Sequence, residues 1–287
     1  MTASLSTRAN RFDLVPPLRF RPMEIGGTSF EIDGVEFRTG WKRTSTGEYF
    51  TIIKSDLMVQ QYRDLLARFP SPRIVELGIF QGGSVALMAM LARPQKLVAI
   101  ELEETPVEPL LELIRDRGLG DSVRPYFGVD QADRSRLEGI VDREFGGAPL
   151  DVVVDDASHL YGPSIASFEL LFPRLRPGGA YVIEDWAGQD VMAGRLAVEL
   201  EDPDSPVHEG IARAMAEQPR RVPLSRMALE LTIAAGQSDG AVAGLAIDRH
   251  WVMVHRGEAD LDPSSFRLRD LYADHFHLLT AEESAAE

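Results

Sequence analysis

Between residues 73 and 185 the chain alternates short aliphatic runs with stretches of helical periodicity. The runs RIVELG (73–78), LVAIE (97–101), VRPYFG (123–128), LDVVVD (150–155) and AYVIED (180–185) are too short for helices. They read as strands buried on both faces of a parallel sheet. Between them the spacing predicts helices from Ser84 to Leu91, over 106–117 with Pro106 near the first turn, over 133–145, and from Pro163 to about Leu175. The turn Arg176-Pro177-Gly178-Gly179 leads into the last of these strands. AVAGLAID (241–248) and HWVMVHRG (250–257) stand too close together for a crossover helix and predict an antiparallel pair at the sheet edge. Upstream, FEIDGVEFRTG (30–40) alternates about Asp33-Gly34 as a hairpin does, and 41–54 reads as loop with some strand. Ser55-Asp56 caps a helix to about Phe69, with Leu57, Met58, Tyr62, Leu65 and Leu66 at helical spacing.

Five strand–helix units and a final hairpin predict an α/β fold. Its sheet is doubly wound, mostly parallel and seven-stranded, with helices on both faces and an antiparallel hairpin at one edge. Residues 1–54 form an N-terminal extension with a β-hairpin, suited to a lid or an oligomer contact. Residues 55–257 form the main domain, with a polar, acidic insertion over 187–225, and residues 258–287 form a tail.

Charge narrows the partners. Lys and Arg number 30 against 45 Asp and Glu, a net charge of −15 that argues against nucleic acid and anionic membranes, both of which need clustered cations. The chain has no cysteine, which excludes disulfides, thiolate metal sites and a cysteine nucleophile. No window reaches the ~18 apolar residues of a transmembrane span. The first residues, MTASLSTRANRFDL, lack the apolar core of a signal peptide, so a cytoplasmic protein is expected.

In such sheets ligands bind beyond the carboxyl ends of the strands. The first strand runs into Glu76-Leu77-Gly78-Ile79-Phe80-Gln81-Gly82-Gly83-Ser84, a turn whose glycines let a ligand approach the backbone at a helix N-terminus. A dinucleotide fingerprint needs glycine where Phe80 stands, and a Walker loop needs lysine where Ser84 follows Gly83. A ligand without a pyrophosphate is therefore expected. Glu101, with Glu103 as its competitor, can accept hydrogen bonds from ribose hydroxyls. Asp130 and Gln131, after the third strand, can hold an adenine amine. Adenosine without a diphosphate points to S-adenosylmethionine.

The fourth and fifth strands end in paired carboxylates, Asp155-Asp156 and Glu184-Asp185. Neighbouring strands lie about 4.8 Å apart, so Asp156, Glu184 and Asp185 can converge. Three carboxylates favour a hard divalent ion, Mg²⁺ first and Mn²⁺ or Ca²⁺ next. His159, three residues after Asp156, supplies an imidazole, the side chain that most often serves as a general base. Trp186 fits either a pocket wall or a packed core aromatic, and His275 and His277 read as surface histidines without a third ligand.

VELGIFQGGS, AIELE, DDASH and VIEDW together resemble the class I S-adenosylmethionine-dependent methyltransferases. More narrowly they resemble the metal-dependent branch that includes macrocin and mycinamicin sugar O-methyltransferases and cephalosporin hydroxylase-like proteins. The resemblance covers roughly residues 55–257. It implies Mg²⁺ on Asp156, Glu184 and Asp185, His159 as the base beside catalytic Asp156, Glu76, Gly78 and Ser84 along the methionine part of the cofactor, and Glu101 on its ribose; Phe80, Gly82, Asp130, Gln131 and Asp155 complete the expected cofactor site. It also implies a small-molecule hydroxyl acceptor, such as a natural-product sugar, and a homo-oligomer. Residues 1–54 and 187–225 match nothing in the branch and are expected to shape the acceptor pocket. Two other readings compete: a metal-assisted hydroxylase or hydrolase on the same fold, and a non-catalytic subunit that binds S-adenosylmethionine.

Overall fold

The computed structural model describes residues 18–23, 27–40, 44–191 and 222–273. The chain divides into two compact units, Met1–Gly128 and Val129–Glu287. This boundary falls inside the 55–257 stretch read from the sequence as one domain.

In the first unit, β1 (Arg21–Pro22), β2 (Thr28–Ile32), β3 (Val35–Thr39) and β4 (Tyr49–Ile52) form a four-stranded sheet in that order. The hairpin expected at Asp33-Gly34 joins β2 to β3, and both turn residues take positive φ. β4 lies parallel to β3. Phe30 stacks on Phe37 at 5.2 Å between ring centres, which gives this small sheet a buried aromatic face. α1 (Asp56–Leu66) starts at Ser55, whose Oγ accepts the Met58 N–H at 3.3 Å. β5 (Arg73–Leu77), β6 (Lys96–Ile100) and β7 (Val123–Tyr126) run parallel in that order, linked by α2 (Gly83–Ala92) and α3 (Glu108–Asp116).

α2 is apolar all round and buried from Gly83 to Met90, as expected of a helix enclosed on every side. The small sheet supplies part of that cover. A Cβ on Gly83 would lie 2.1 Å from the Thr51 carbonyl oxygen, so only glycine allows β4 to approach the start of α2. The described part of the N-terminal extension is thus packed into this unit.

The second unit holds α4 (Arg134–Phe145), β8 (Leu150–Asp155), α5 (Tyr161–Leu171), β9 (Leu175–Glu184), α6 (Ser225–Gln237), β10 (Val242–Ile247) and β11 (Trp251–Arg256). Its strand order is β10-β11-β9-β8, with β8 and β9 parallel and β11 antiparallel to both neighbours. Among the described residues, counting β5, β6 and β7, the Rossmann-like sheet has seven strands and is mostly parallel. Val152, Val153, Val154, Tyr181 and Val182 are fully buried, and Phe168 stacks on Phe172 at 4.7 Å beside them.

Three elements depart from the pattern-based reading. α5 begins at Tyr161, two residues before Pro163. Proline is tolerated in a first turn because the N–H it lacks has no acceptor there. β9 begins at Leu175 instead of 180: its register against β8 jumps between Leu150↔Leu175 and Val152↔Ala180, so Arg176 to Gly179 form an irregularity inside the strand. α6 begins at Ser225, the last residue of the insertion, in a stretch to which the sequence pattern assigns no element. Within the sequence-defined segments, residues 1–17, residues 192–221 of the insertion and residues 274–287 of the tail lie outside the described residues, and with them His275 and His277.

Candidate functional site

The glycine turn of the first unit is organised by one acid. β5 ends at Leu77, and Gly78, at φ 96°, gives its N–H to the Ile100 carbonyl at 2.8 Å. Glu101 then gathers the loop: its Oε2 accepts the N–H groups of Ile79 at 2.9 Å and Phe80 at 2.8 Å, and its Oε1 accepts that of Glu103 at 3.0 Å. A carboxylate has about four lone-pair directions, so three are taken by backbone and room for a further donor remains on Oε1. Glu103, the competitor, is exposed, and its Oε1 accepts the Glu104 N–H.

Phe80 takes φ 48°, unusual for a residue with a side chain, and is 63% exposed. Gly82, at φ 78°, caps α2 without a side chain, and the first N–H groups of that helix lack an acceptor within it. Ser84 lies in this first turn, nearly buried, and Glu76 is fully buried on β5. Gln81 accepts the Ser45 N–H at 3.2 Å, which ties the turn to the N-terminal segment.

In the second unit the acids and the imidazole meet. β8 and β9 are in parallel register with Asp155 opposite Ile183, so the following residues leave the same end of the two strands. One ligand atom from each of Asp156, His159 and Asp185 lies within 4.8 Å of the others. His159 Nε2 stands 3.7 Å from Asp156 Oδ1. Two of the three take left-handed backbone, His159 at φ 52° and Asp185 at φ 48°. Such conformations in residues with side chains cost about 1–3 kcal/mol each and persist where the surroundings fix them. The Asp185 N–H is held by the His250 carbonyl at 3.0 Å, and the half-buried Trp186 donates its indole N–H to the Asp248 carbonyl at 2.9 Å.

Glu184 ends β9 with 1% exposure, opposite Trp251, and is not one of the three clustered groups. The donor set still suits a hard ion, because two of its three converging groups are carboxylates that offer oxygen ligands.

Asp155 and Gln131 are placed differently from a ligand-facing pair. Gln131 is buried, and its amide nitrogen donates to both Asp155 oxygens (3.1 and 3.3 Å) and to Ser167 Oγ (3.1 Å). Its amide oxygen accepts the Ser158 N–H at 3.0 Å. Both ends of the amide are engaged inside the unit, so of the neighbours Asp130 and Gln131 only Asp130 is exposed. Asp130 Oδ1 caps its own turn by accepting the Ala132 N–H at 2.8 Å. Burial holds the Asp155 carboxyl above its ordinary pKa, opposed by the hydrogen bonds from Gln131 and by the charge of His159. Burial, with the nearby Asp155 charge, also raises the Tyr181 phenol.

A second cluster escaped the sequence reading. Tyr161 donates its hydroxyl to both Glu230 oxygens (2.9 and 2.8 Å), and Arg226 Nε donates to Glu230 Oε1 at 3.0 Å. Desolvation and the Glu230 bond raise the Tyr161 pKa. The available signal was one acid within the otherwise apolar run MALELTIAA (227–235).

The chain is similar to several known proteins. Residues 75–186 match a family model described as a methyltransferase domain. A 57-residue stretch is 45% identical to the 8-demethyl-8-alpha-L-rhamnosyl tetracenomycin-C 2'-O-methyltransferase of Streptomyces olivaceus, covering 20% of this chain and 14% of that protein. A 56-residue stretch is 50% identical to the mycinamicin VI 2''-O-methyltransferase of Micromonospora griseorubida, covering 20% and 13%. These matches span about a seventh of the length of the curated relatives. The chain is also similar to the solved structure of the MycE methyltransferase from the mycinamycin biosynthetic pathway in complex with Mg, SAH and mycinamycin VI. That similarity has 23% identity and a TM-score of 0.46, and covers 71% of this chain and 49% of that one.

Proposed function

We propose that the protein transfers a methyl group from S-adenosylmethionine to a hydroxyl of a small molecule, a sugar of a natural product being the favoured acceptor. The observation that carries this reading is the meeting of Asp156, His159 and Asp185 at the ends of β8 and β9. The methyltransferase-domain match over 75–186 and the sugar O-methyltransferase relatives support the same class.

In this reading Asp156 and Asp185, joined by Glu184, hold a divalent ion, with Mg²⁺ preferred for an all-oxygen set. The bound ion supplies positive charge that makes a nearby hydroxyl easier to deprotonate. His159 takes that proton at Nε2, the nitrogen turned toward Asp156, and the Asp156 carboxylate stabilises the imidazolium that results. The acceptor oxygen gains the methyl group as the carbon–sulfur bond breaks, leaving S-adenosylhomocysteine. In the first unit, Glu101 offers its remaining acceptor site to a ribose hydroxyl, and the Gly78–Ser84 turn offers backbone N–H groups at the start of α2. Phe80 gives an exposed ring beside them. Glu76 helps to line the cofactor from β5, and Asp130 is the exposed acid left for the adenine.

Residues 55–257 carry the chemistry in this proposal, and residues 1–54 and 187–225 select the acceptor. Among the described residues no helix is long and apolar enough to cross a membrane. We place the protein in the cytoplasm as a homo-oligomer, which sedimentation of the full chain checks. The activity test is His159→Ala. Turnover of a sugar acceptor should disappear while calorimetry with S-adenosylhomocysteine gives an affinity within about twofold of the parent, since a base acts on the acceptor proton and not on cofactor binding. Full turnover in that variant rejects the assigned base.

A further inference from the structure

Glu230 is 3% exposed in the middle of α6, among Met227, Ala228, Leu231 and Ala234. A carboxylate in such surroundings loses hydration and gains little net stability from an ion pair. Here it is fully engaged: the Tyr161 hydroxyl donates to both oxygens and Arg226 to one, with the Arg226 guanidinium 5.6 Å from the centre of the Tyr161 ring. Where the bond lands suggests its use. Tyr161 opens α5 and follows His159 by two residues.

The segment from Ser158 to Tyr161 is therefore pinned twice. At one end Gln131 accepts the Ser158 N–H at 3.0 Å. At the other, Tyr161 is tied to α6. Between them the Leu160 N–H is held by Ser158 Oγ at 3.3 Å, and His159 takes its left-handed backbone. A conformation that side-chain-bearing residues disfavour needs restraint on both sides. We propose that Glu230, acting through Tyr161, is a positioning residue that fixes the His159 turn. The proposal rests on the methyl-transfer reading for its functional meaning, since orientation of a base governs rate more than substrate affinity.

The test uses Tyr161→Phe, which removes only the hydroxyl and leaves the Arg226–Glu230 pair, and Glu230→Gln, which keeps the size of the side chain. The imidazole ¹H–¹⁵N spectrum of the full chain reports six histidines, and His159→Ala assigns the one of interest. The His159 signal should shift or broaden in both variants while the other histidines stay in place. kcat should fall about tenfold with KM values within about twofold, and the double variant should be no worse than either single one. An unmoved His159 signal with kcat retained overturns the proposal, even if the melting temperature drops. Additive losses overturn it as well. A parent protein that neither binds S-adenosylhomocysteine nor turns over overturns the enzymatic reading instead, and the imidazole spectrum still decides whether Glu230 holds the turn.

Discussion

Phe80, at φ 48°, gives its backbone N–H to the Glu101 carboxylate at 2.8 Å. The acid that follows β6 thus holds the turn after β5 in a conformation a phenylalanine would not choose. Glu101→Gln keeps an oxygen for Ile79 and Phe80 but turns an amide N–H₂ toward the Glu103 N–H, so one donor is left without an acceptor. That loss costs about 1–3 kcal/mol in the loop, or roughly five- to 150-fold in affinity. Calorimetric titration with S-adenosylhomocysteine should record it. Unchanged affinity in this variant removes Glu101 from the cofactor site.

Asp155 supplies the pH-dependent prediction. Its folded-state pKa lies above the ordinary 3.8 because burial disfavours the charged form. A carboxyl raised in this way favours folding when protonated. Its contribution is complete below pH 3.8 and is lost as pH rises through the raised native value. Asp155→Asn cannot ionise and still offers Gln131 an oxygen. With chelator present, its urea-unfolding free energy should gain on the parent as pH rises above 3.8 and through the raised native value. A difference that stays flat with pH shows that Asp155 does not titrate as described.

Much of this was legible in the chain itself. Val152 to Val154 and Tyr181 to Ile183 declare buried strands because an uninterrupted apolar run has no other short home. The ends of those strands carry the acids, so the position of Asp156 and Asp185 follows from topology. Side-chain direction does not. Gln131 and Glu101 are both polar groups at strand ends, but one turns inward to Asp155 and the other toward the turn after β5. Sequence position alone treats them alike. The Tyr161–Glu230 bond joins residues 69 apart, and no local pattern encodes such a meeting. α6 was hidden for a related reason. Its buried acid interrupts the apolar face that would have announced it.

The close approach of β4 to α2 gives a stability prediction. A methyl group at residue 83 would meet the Thr51 carbonyl at 2.1 Å, against backbone that cannot rotate away. Gly83→Ala should destabilise by about 1–3 kcal/mol, the usual penalty of overpacking, despite the higher helix propensity of alanine. For scale, Ser55→Ala deletes the cap on Met58 and should lose about 1 kcal/mol. Urea unfolding of both variants checks the order. A Gly83→Ala protein as stable as the parent means that the N-terminal sheet yields at this contact.

Glu184 discriminates between two ways of building the metal centre. Asp156, His159 and Asp185 already converge, whereas Glu184 is buried at the last position of β9. If it joins the ion as proposed, Glu184→Gln exchanges a charged oxygen ligand for a neutral one and should weaken Mn²⁺ binding at least about tenfold. Metal that binds only the folded protein stabilises it by about 2.7 kcal/mol at a hundred times Kd, so the same comparison can be read as a shift in unfolding. Asp185→Asn should lose that shift, because Asp185 is one of the two carboxylates in the cluster. Should Glu184→Gln retain parental Mn²⁺ affinity while Asp185→Asn does not, the ion is held by the Asp156–Asp185 pair, and Glu184 supports it only from beneath.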